Sequence, residues 1–280
     1  MRRRRPRGCS RASTIQASRR PSRSPANSFP DRAVKRLIDV LLSAVGLLAS
    51  SPVLVPVMLL VWWRDRHSPF YVAPRVGRQG APFLMVKLRS MVVNADRTGV
   101  DSTGANDARI TPVGHFIRRY KLDELTQLWN VLRGDMSLVG PRPNVKRETD
   151  LYTPIERRLL EVRPGVTDFS SIVFSDEGDI LKDQVDPDIA YNQLIRPGKS
   201  LLGLFYLEHR SLGLDLQLIA LTAVAIVSRR RALRGVQRIL AQLGAERRLL
   251  EIAERAKPLE PMPPPGATKL VTSRDGNPFA

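Results

Sequence analysis

The sequence predicts an α+β fold, mainly helical, with a re-entrant membrane helix hairpin, a small β-hairpin and interfacial amphipathic helices. Three observations carry this expectation. Residues 40–63 contain no charged side chain and are interrupted by Pro52 and Pro56. Residues 69–91 alternate short extended runs with turn residues. Residues 111–132 repeat apolar side chains near helical spacing, and a second apolar run, 212–227, ends beside three arginines. The expected organisation is a disordered basic leader over 1–32, a membrane helix over 33–66, one main domain over 67–232, an amphipathic helix over 233–256 and a disordered tail over 257–280.

The leader is rich in Arg, Ser and Pro, a composition that cannot bury a core. Residues 1–30 hold nine Arg and no Lys, Asp or Glu. A signal peptide needs an apolar stretch directly after its basic residues, and none occurs before Val40. The single cysteine, Cys9, lies here, so neither an intrachain disulfide nor a cysteine metal cluster can form.

At about 1.5 Å per residue, 40–63 is long enough to cross a bilayer core of roughly 30 Å. Two prolines in its middle remove backbone donors and oppose a plain crossing. Lys35 and Arg36 flank one end, Arg64 and Arg66 the other. Basic residues favour the cytoplasm, so symmetrical flanks suit a segment that enters and leaves by one face; a spanning helix is the alternative. Ser50 or Ser51 is placed to bond carbonyls that Pro52 leaves free, and Trp62 and Trp63 suit the headgroup level.

Phe70–Val72 and Phe83–Val86 form the two arms expected of the hairpin, with Gly77, Gly80 and Pro82 between them. Residues 92–110 are a polar loop in which Asp107 and Arg109 can form a local ion pair. The 111–132 pattern predicts one helix that stops at Gly134. Loops and short elements are expected over 134–175, an interfacial helix over 212–227, and an amphipathic helix beyond it.

Charge directs attention to phosphate. The 280-residue chain carries 45 Lys plus Arg against 27 Asp plus Glu, a net of +18, which points to nucleic acid, anionic lipid or nucleotides. The densest cluster is Arg118-Arg119-Tyr120-Lys121-Leu122-Asp123-Glu124-Leu125. A helical Asp-Glu pair is usually a solvated face, but this one shares its helix with Leu122, Leu125 and Trp129. Neighbouring cations would hold a carboxylate ionised. One acid could then attack phosphorus while the other binds a hard divalent cation. In Gly140-Pro141-Arg142-Pro143 two prolines fix the backbone around one guanidinium, suited to phosphate; a structural turn is the alternative. Lys87 and Arg89 are further candidates for phosphate contact.

With these residues on the page, the chain resembles the bacterial sugar transferases, monotopic polyprenyl-phosphate hexose-1-phosphate transferases. The likeness runs from about Lys35 to Thr167. It rests on Lys35-Arg36-x-x-Asp39, Ser51-Pro52, Arg75-Val76-Gly77, Phe83-x-x-x-Lys87-x-Arg89-Ser90-Met91 and Asp107-x-Arg109-Ile110-Thr111. It continues through Leu122-Asp123-Glu124-Leu125, Gln127–Leu132, Gly134–Pro143 and Arg163-Pro164-Gly165-Val166-Thr167. Each motif alone is weak; their order is specific.

The resemblance implies a membrane helix broken at Ser51-Pro52 and a catalytic dyad of Asp123 and Glu124, with Mg²⁺ held near Glu124. It implies that Asp123 attacks the sugar-bearing phosphate of a UDP-sugar, expels UMP, and passes the phosphosugar to polyprenyl phosphate. Arg118 and Arg142 match positions used near the phosphates. The implied location is the cytoplasmic face of the bacterial inner membrane. Expected partners are a UDP-sugar, polyprenyl phosphate and membrane lipid; homo-oligomers and downstream glycosyltransferases are compatible.

Two departures stand out. Thr126 replaces a common proline and is expected to straighten the helix slightly. Asp168-Phe169-Ser170-Ser171 replaces a Gly-led stretch, removes a basic contact and leaves sugar specificity open. The following Asp176-Glu177 pair is expected at the surface. A scaffold without catalysis is opposed by the retained dyad. A nucleic-acid-binding protein is opposed by the uncharged membrane stretch and by the concentration of positive charge in the leader.

Overall fold

The computed structural model describes residues 29–95, 103–104 and 106–273. The predicted leader up to residue 28, part of the 92–110 loop and the end of the tail, 274–280, lie outside the described residues.

The chain begins as one long helix, α1 (Phe29–Asp65), so the last residues assigned to the leader are helical. No chain reversal occurs at Ser51-Pro52 or Pro56; both prolines sit inside the helix. The Ser51 hydroxyl donates to the Leu48 carbonyl at 2.7 Å, the acceptor that Pro52 cannot satisfy. The Ser50 hydroxyl also donates within the helix, to the Leu47 carbonyl at 3.2 Å. Local hydroxyls thus repair the ladder and the helix continues through the prolines.

At about 1.5 Å per residue, these 37 residues span about 55 Å. Positions three or four apart dock against the rest of the chain along the whole length: Asp39, Ser43, Leu54, Val57 and Val61 are buried. The opposite face, including Leu41, Val45, Leu48, Val55, Leu59 and Trp63, is exposed and apolar. Arg66 ends the helix with φ 59°, and its guanidinium lies over the Trp62 and Trp63 rings at 4.4 and 5.3 Å.

The predicted hairpin forms as β1 (Phe70–Val76) and β2 (Pro82–Leu88), antiparallel with Val72 opposite Val86. Asp107 and Arg109 make the local pair foreseen for them, at 2.7 Å.

The single helix expected over 111–132 is three: α2 (Pro112–Arg119), α3 (Leu122–Leu125) and α4 (Leu128–Arg133). Thr111 caps α2 through its hydroxyl, and Gly134 ends α4 at φ 95°. Between α2 and α3, Lys121 adopts a left-handed conformation, φ 55° and ψ 27°, which costs a side-chain-bearing residue about 1 kcal/mol. Thr126 straightens nothing. It follows α3, and its hydroxyl lies within bonding distance of the Asp123 and Val86 carbonyls at 3.0 and 3.3 Å.

Next come β3 (Ser137–Val139), α5 (Lys146–Asp150), β4 (Gly165–Thr167), α6 (Phe169–Val173), α7 (Glu177–Ile180) and α8 (Pro187–Ala190). Strands β3 and β4 pair in parallel. The helices α9 (Arg196–His209), α10 (Leu212–Val227), α11 (Arg229–Gln242) and α12 (Arg247–Glu254) complete the order.

One core joins α4, β3, α6 and α9–α12 through Phe169, Ile195, Leu202, Leu218 and Leu240. A smaller one joins Leu54, Val57 and Val61 of α1 to Leu88, Ile117 and Leu122. The amphipathic helix predicted over 233–256 is two helices separated at Gly244, φ 76°. Their apolar stripe faces the core: Val236, Ile239, Leu240, Leu249 and Ala253 are buried. Helix α10 likewise buries Leu214 and Leu218 while exposing Leu216, Ile226 and Val227. The expected tail is also docked as far as it is described. The Met262 amide donates to the Gln193 carbonyl, Gln193 donates to the Val271 carbonyl at 2.7 Å, and Val271 is buried.

Candidate active site

A cleft of about 720 Å³ opens between the β-hairpin, α2, α3, the loop after β3, and the α6–α9 segment. Asp123, Glu124, Lys87, Arg118 and Arg142 all line it. The break at Lys121 explains how. An unbroken helix would set Asp123 and Glu124 by the rotation of α2; the left-handed residue uncouples them.

The hairpin is tied to α4, which follows α3 directly, by side chains. Asn130 accepts from the Val86 amide at 2.9 Å and donates to the Leu84 carbonyl at 2.7 Å. These bonds hold Lys87 on β2 beside the acidic pair. Arg142 is delivered by a backbone crossing. A side chain on Gly165 would lie 2.1 Å from the Gly140 nitrogen, and one on Gly140 would lie 2.6 Å from the Arg163 carbonyl. Only glycines allow this approach.

The two carboxylates differ sharply. Arg142 donates to Glu124 Oε1 at 2.8 Å. Burial alone would raise the Glu124 pKa, but the Arg142 charge, then Lys121 and the Arg142 hydrogen bond, hold it at about 2. Asp123 has no such partner. Its Oδ1 is buried and accepts no hydrogen bond among the described residues. Burial raises the Asp123 pKa, with Lys87 opposing and Glu124 reinforcing. Proximity of Arg118 and Lys121 is therefore insufficient to hold Asp123 in the ordinary carboxylate range; desolvation wins. Lys87 shows the reciprocal effect, its pKa lowered by burial and partly restored by Asp123. Arg118 reaches Ser90 Oγ at 3.1 Å and keeps the rest of its guanidinium on the cleft side.

Arg89 does not join this group. It makes two hydrogen bonds to Asp65, at 2.6 and 2.7 Å, and locks the end of α1 to the end of β2. That pair holds the Asp65 carboxylate well below its usual range. Ser51 and Pro52 also lie away from the cleft lining.

Asp176 and Glu177, expected at the surface, line the same cleft. Asp176 lies 2.9 Å from both Arg229 and Arg255, and Glu177 pairs with Lys199. Asp168 caps α6, accepting from Ser170, the Ser171 amide and the Ser171 hydroxyl. The departure at 168–171 is thus a self-contained cap. Lys199, which reading of the sequence missed, supplies a basic side chain to this wall; its isolated place in an apolar helix carried no signal.

Among the described residues no three His, Cys, Asp or Glu side chains converge as a metal cage. The cleft nevertheless suits a magnesium ion, which keeps waters and substrate phosphates and takes only one or two protein carboxylates. Glu124 is ionised, and the orphaned Asp123 oxygen lies beside it.

The sequence model of the bacterial sugar transferase family matches residues 30–229. The chain is 40% identical over 148 residues to the exopolysaccharide production protein ExoY of Sinorhizobium fredii, covering 48% of this chain and 66% of that protein. It is 41% identical over 111 residues to a putative undecaprenyl-phosphate N-acetylgalactosaminyl 1-phosphate transferase of Bacillus subtilis, covering 40% and 62%. It is 33% identical over 203 residues to a UDP-glucose:undecaprenyl-phosphate glucose-1-phosphate transferase of Klebsiella pneumoniae, covering 71% and 41%. The chain thus spans between 41% and 66% of these relatives' lengths. With residues 30–229 matched by the family model, the chain belongs to the bacterial sugar transferase family.

Proposed function

We propose that the protein transfers a hexose-1-phosphate from a UDP-sugar to polyprenyl phosphate, releasing UMP and starting assembly of a surface polysaccharide or glycoconjugate. The observation that carries this reading is the unpartnered, buried Asp123 carboxylate oxygen facing Lys87, Arg118 and Arg142 in one cleft. An underhydrated carboxylate among cations is suited to attack phosphorus in a diphosphate that those cations bind.

In the first step an Asp123 oxygen attacks the phosphorus bearing the sugar. The bond from that phosphorus to the bridging oxygen breaks, and UMP leaves with the oxygen. In the second step a phosphate oxygen of polyprenyl phosphate attacks the same phosphorus. The bond to Asp123 breaks, the carboxylate is regenerated, and a polyprenyl diphosphate sugar departs. Arg142 and Lys87 take up charge on the phosphoryl oxygens, while Arg118 orients the diphosphate. Glu124 would hold Mg²⁺, which when bound neutralises phosphate charge.

The acceptor is a membrane lipid, and the exposed apolar face of α1 is the natural anchor. Contacts of α1 with the body near both ends, through Asp39 and through Asp65, support a reading in which both ends lie on the membrane face that carries the cleft. That face is the cytoplasmic one, where UDP-sugars are available.

The test is UMP release by detergent-solubilised protein across a panel of UDP-sugars. Without polyprenyl phosphate, brief incubation should leave a hexose-phosphate mass on the peptide containing Asp123. An adduct mapping elsewhere, or no UMP release with any UDP-sugar, overturns the reading.

A further inference from the structure

A second cleft, of about 540 Å³, lies away from Asp123 where the polar start of α1 meets the β-hairpin tip, the segment before β4, and the α9–α10 junction. Five cations and three carboxylates line it. One of the acids is bonded by neutral donors only and one is paired with a cation. Asp39 accepts from the Ser137 hydroxyl at 2.8 Å and the Leu138 amide at 3.2 Å. Asp215 accepts from Tyr206 at 2.7 Å and pairs with Lys35. The third, Glu161, forms no ion pair among the described residues.

With Lys35 paired to Asp215, four arginines remain against the charges of Asp39 and Glu161, so positive charge is still in excess. Arg36 donates to the Leu132 carbonyl at 2.9 Å, at the end of α4, which leaves its charge unneutralised. Arg78, Arg163 and Arg210 have no ion pair among the described residues. Burial, and after it the nearby Arg36 and Arg78, disfavour the charged form of Arg163, with Asp39 opposing. Like charges gathered around a cavity gain most from an anion that bridges them.

Position selects the anion. The uncharged run of α1 begins at Val40, one residue after Asp39, so the cleft mouth lies at the boundary between the polar and apolar parts of that helix. A phosphate at this level would carry its apolar remainder towards the uncharged part of the helix. We propose that this cleft binds the phosphate-bearing headgroup of an anionic membrane lipid, with Arg78 and Arg163 as its principal contacts. The proposal rests on the membrane role of α1 set out above, and flotation on phosphatidylcholine vesicles reports that role by itself.

The test is the melting temperature of the full-length protein in neutral detergent micelles, doped with phosphatidylglycerol, with phosphatidylcholine, or supplied with inorganic phosphate. Ligand that binds the native state raises it. Phosphatidylglycerol should raise it and phosphatidylcholine should not. The double variant Arg78→Gln/Arg163→Gln should lose at least half of that rise, and Arg78→Lys/Arg163→Lys should recover part of it. Arg230→Gln/Arg231→Gln, which removes equal charge from exposed positions of α11, should keep it. An undiminished rise in the Gln variant, or an equal loss in the α11 control, overturns the proposal. A rise with inorganic phosphate equal to that with phosphatidylglycerol overturns the lipid assignment, because the cleft would then be a site for soluble phosphate.

Discussion

Two Asp-Glu pairs line the same cleft and behave differently. Asp176 is held between Arg229 and Arg255, and Glu177 is paired with Lys199. In the other pair Glu124 is matched to Arg142, while Asp123 keeps an oxygen that is buried and unbonded among the described residues. Three carboxylates are ion-paired with fixed cations. The fourth, Asp123, is desolvated with only the nearby charges of Lys87, Lys121 and Arg118 opposing, a state that costs the fold stability. The contrast is that cations lie near all four carboxylates, yet only Asp123 lacks an ion pair among the described residues.

Removing the unpartnered acid should have the largest effect. Asp123→Asn keeps size and loses the attacking charge, so UMP release should fall by roughly 10³-fold or more. The variant should melt no lower than wild type, because a buried charge is lost. Turnover at the wild-type rate would erase the distinction between the two pairs.

Glu124→Gln should lower turnover by roughly 10- to 100-fold and raise the Mg²⁺ concentration needed for half-maximal rate, the scale seen when the surroundings of a metal are altered. An unchanged Mg²⁺ requirement would assign Glu124 to Arg142 alone. The same residue has a pH signature in stability. Its native pKa of about 2 lies below its ordinary 4.5. Its contribution is therefore present above that ordinary value and lost as pH falls towards the native one. Asp123 has the opposite sign: its raised pKa means that its ionisation weakens the fold as pH rises through that pKa.

Chemistry should follow ionised Asp123. kcat/KM should rise with pH through a limb above the ordinary aspartate value of 3.8. Lys87 opposes the upward shift, so Lys87→Met should move that limb to higher pH as well as weaken substrate binding. A limb that stays in place would mean that Lys87 acts on substrate only.

Asp176→Asn should affect turnover least, within a few-fold, while costing about 1–3 kcal/mol in urea unfolding because two guanidiniums lose their partner. Abolished turnover in a variant as stable as wild type would move Asp176 from the wall of the cleft into its chemistry.

What the sequence determined by itself was local or ordered along the chain. The hairpin was legible because turn residues and extended runs adjoin. The long apolar helix was legible because 40–63 lacks charge. The dyad, Lys87, Arg118 and Arg142 were legible because their motifs follow one another in a specific order. Tertiary structure decided which of these charges meet. Arg89 carries the same charge as Lys87 two residues earlier, yet, just past the end of β2, it turns to Asp65 on α1. The Asp176-Glu177 pair looked solvated because Arg255 lies 79 residues further along the chain. The helix over 111–132 broke at Lys121 because docking against both α1 and the hairpin outweighed about 1 kcal/mol of left-handed strain. Even the docking of the proline-rich tail depended on partners on remote segments. Charge pairing and desolvation act through space, so a linear pattern names the ionisable groups and only their packing sets which remain free to react.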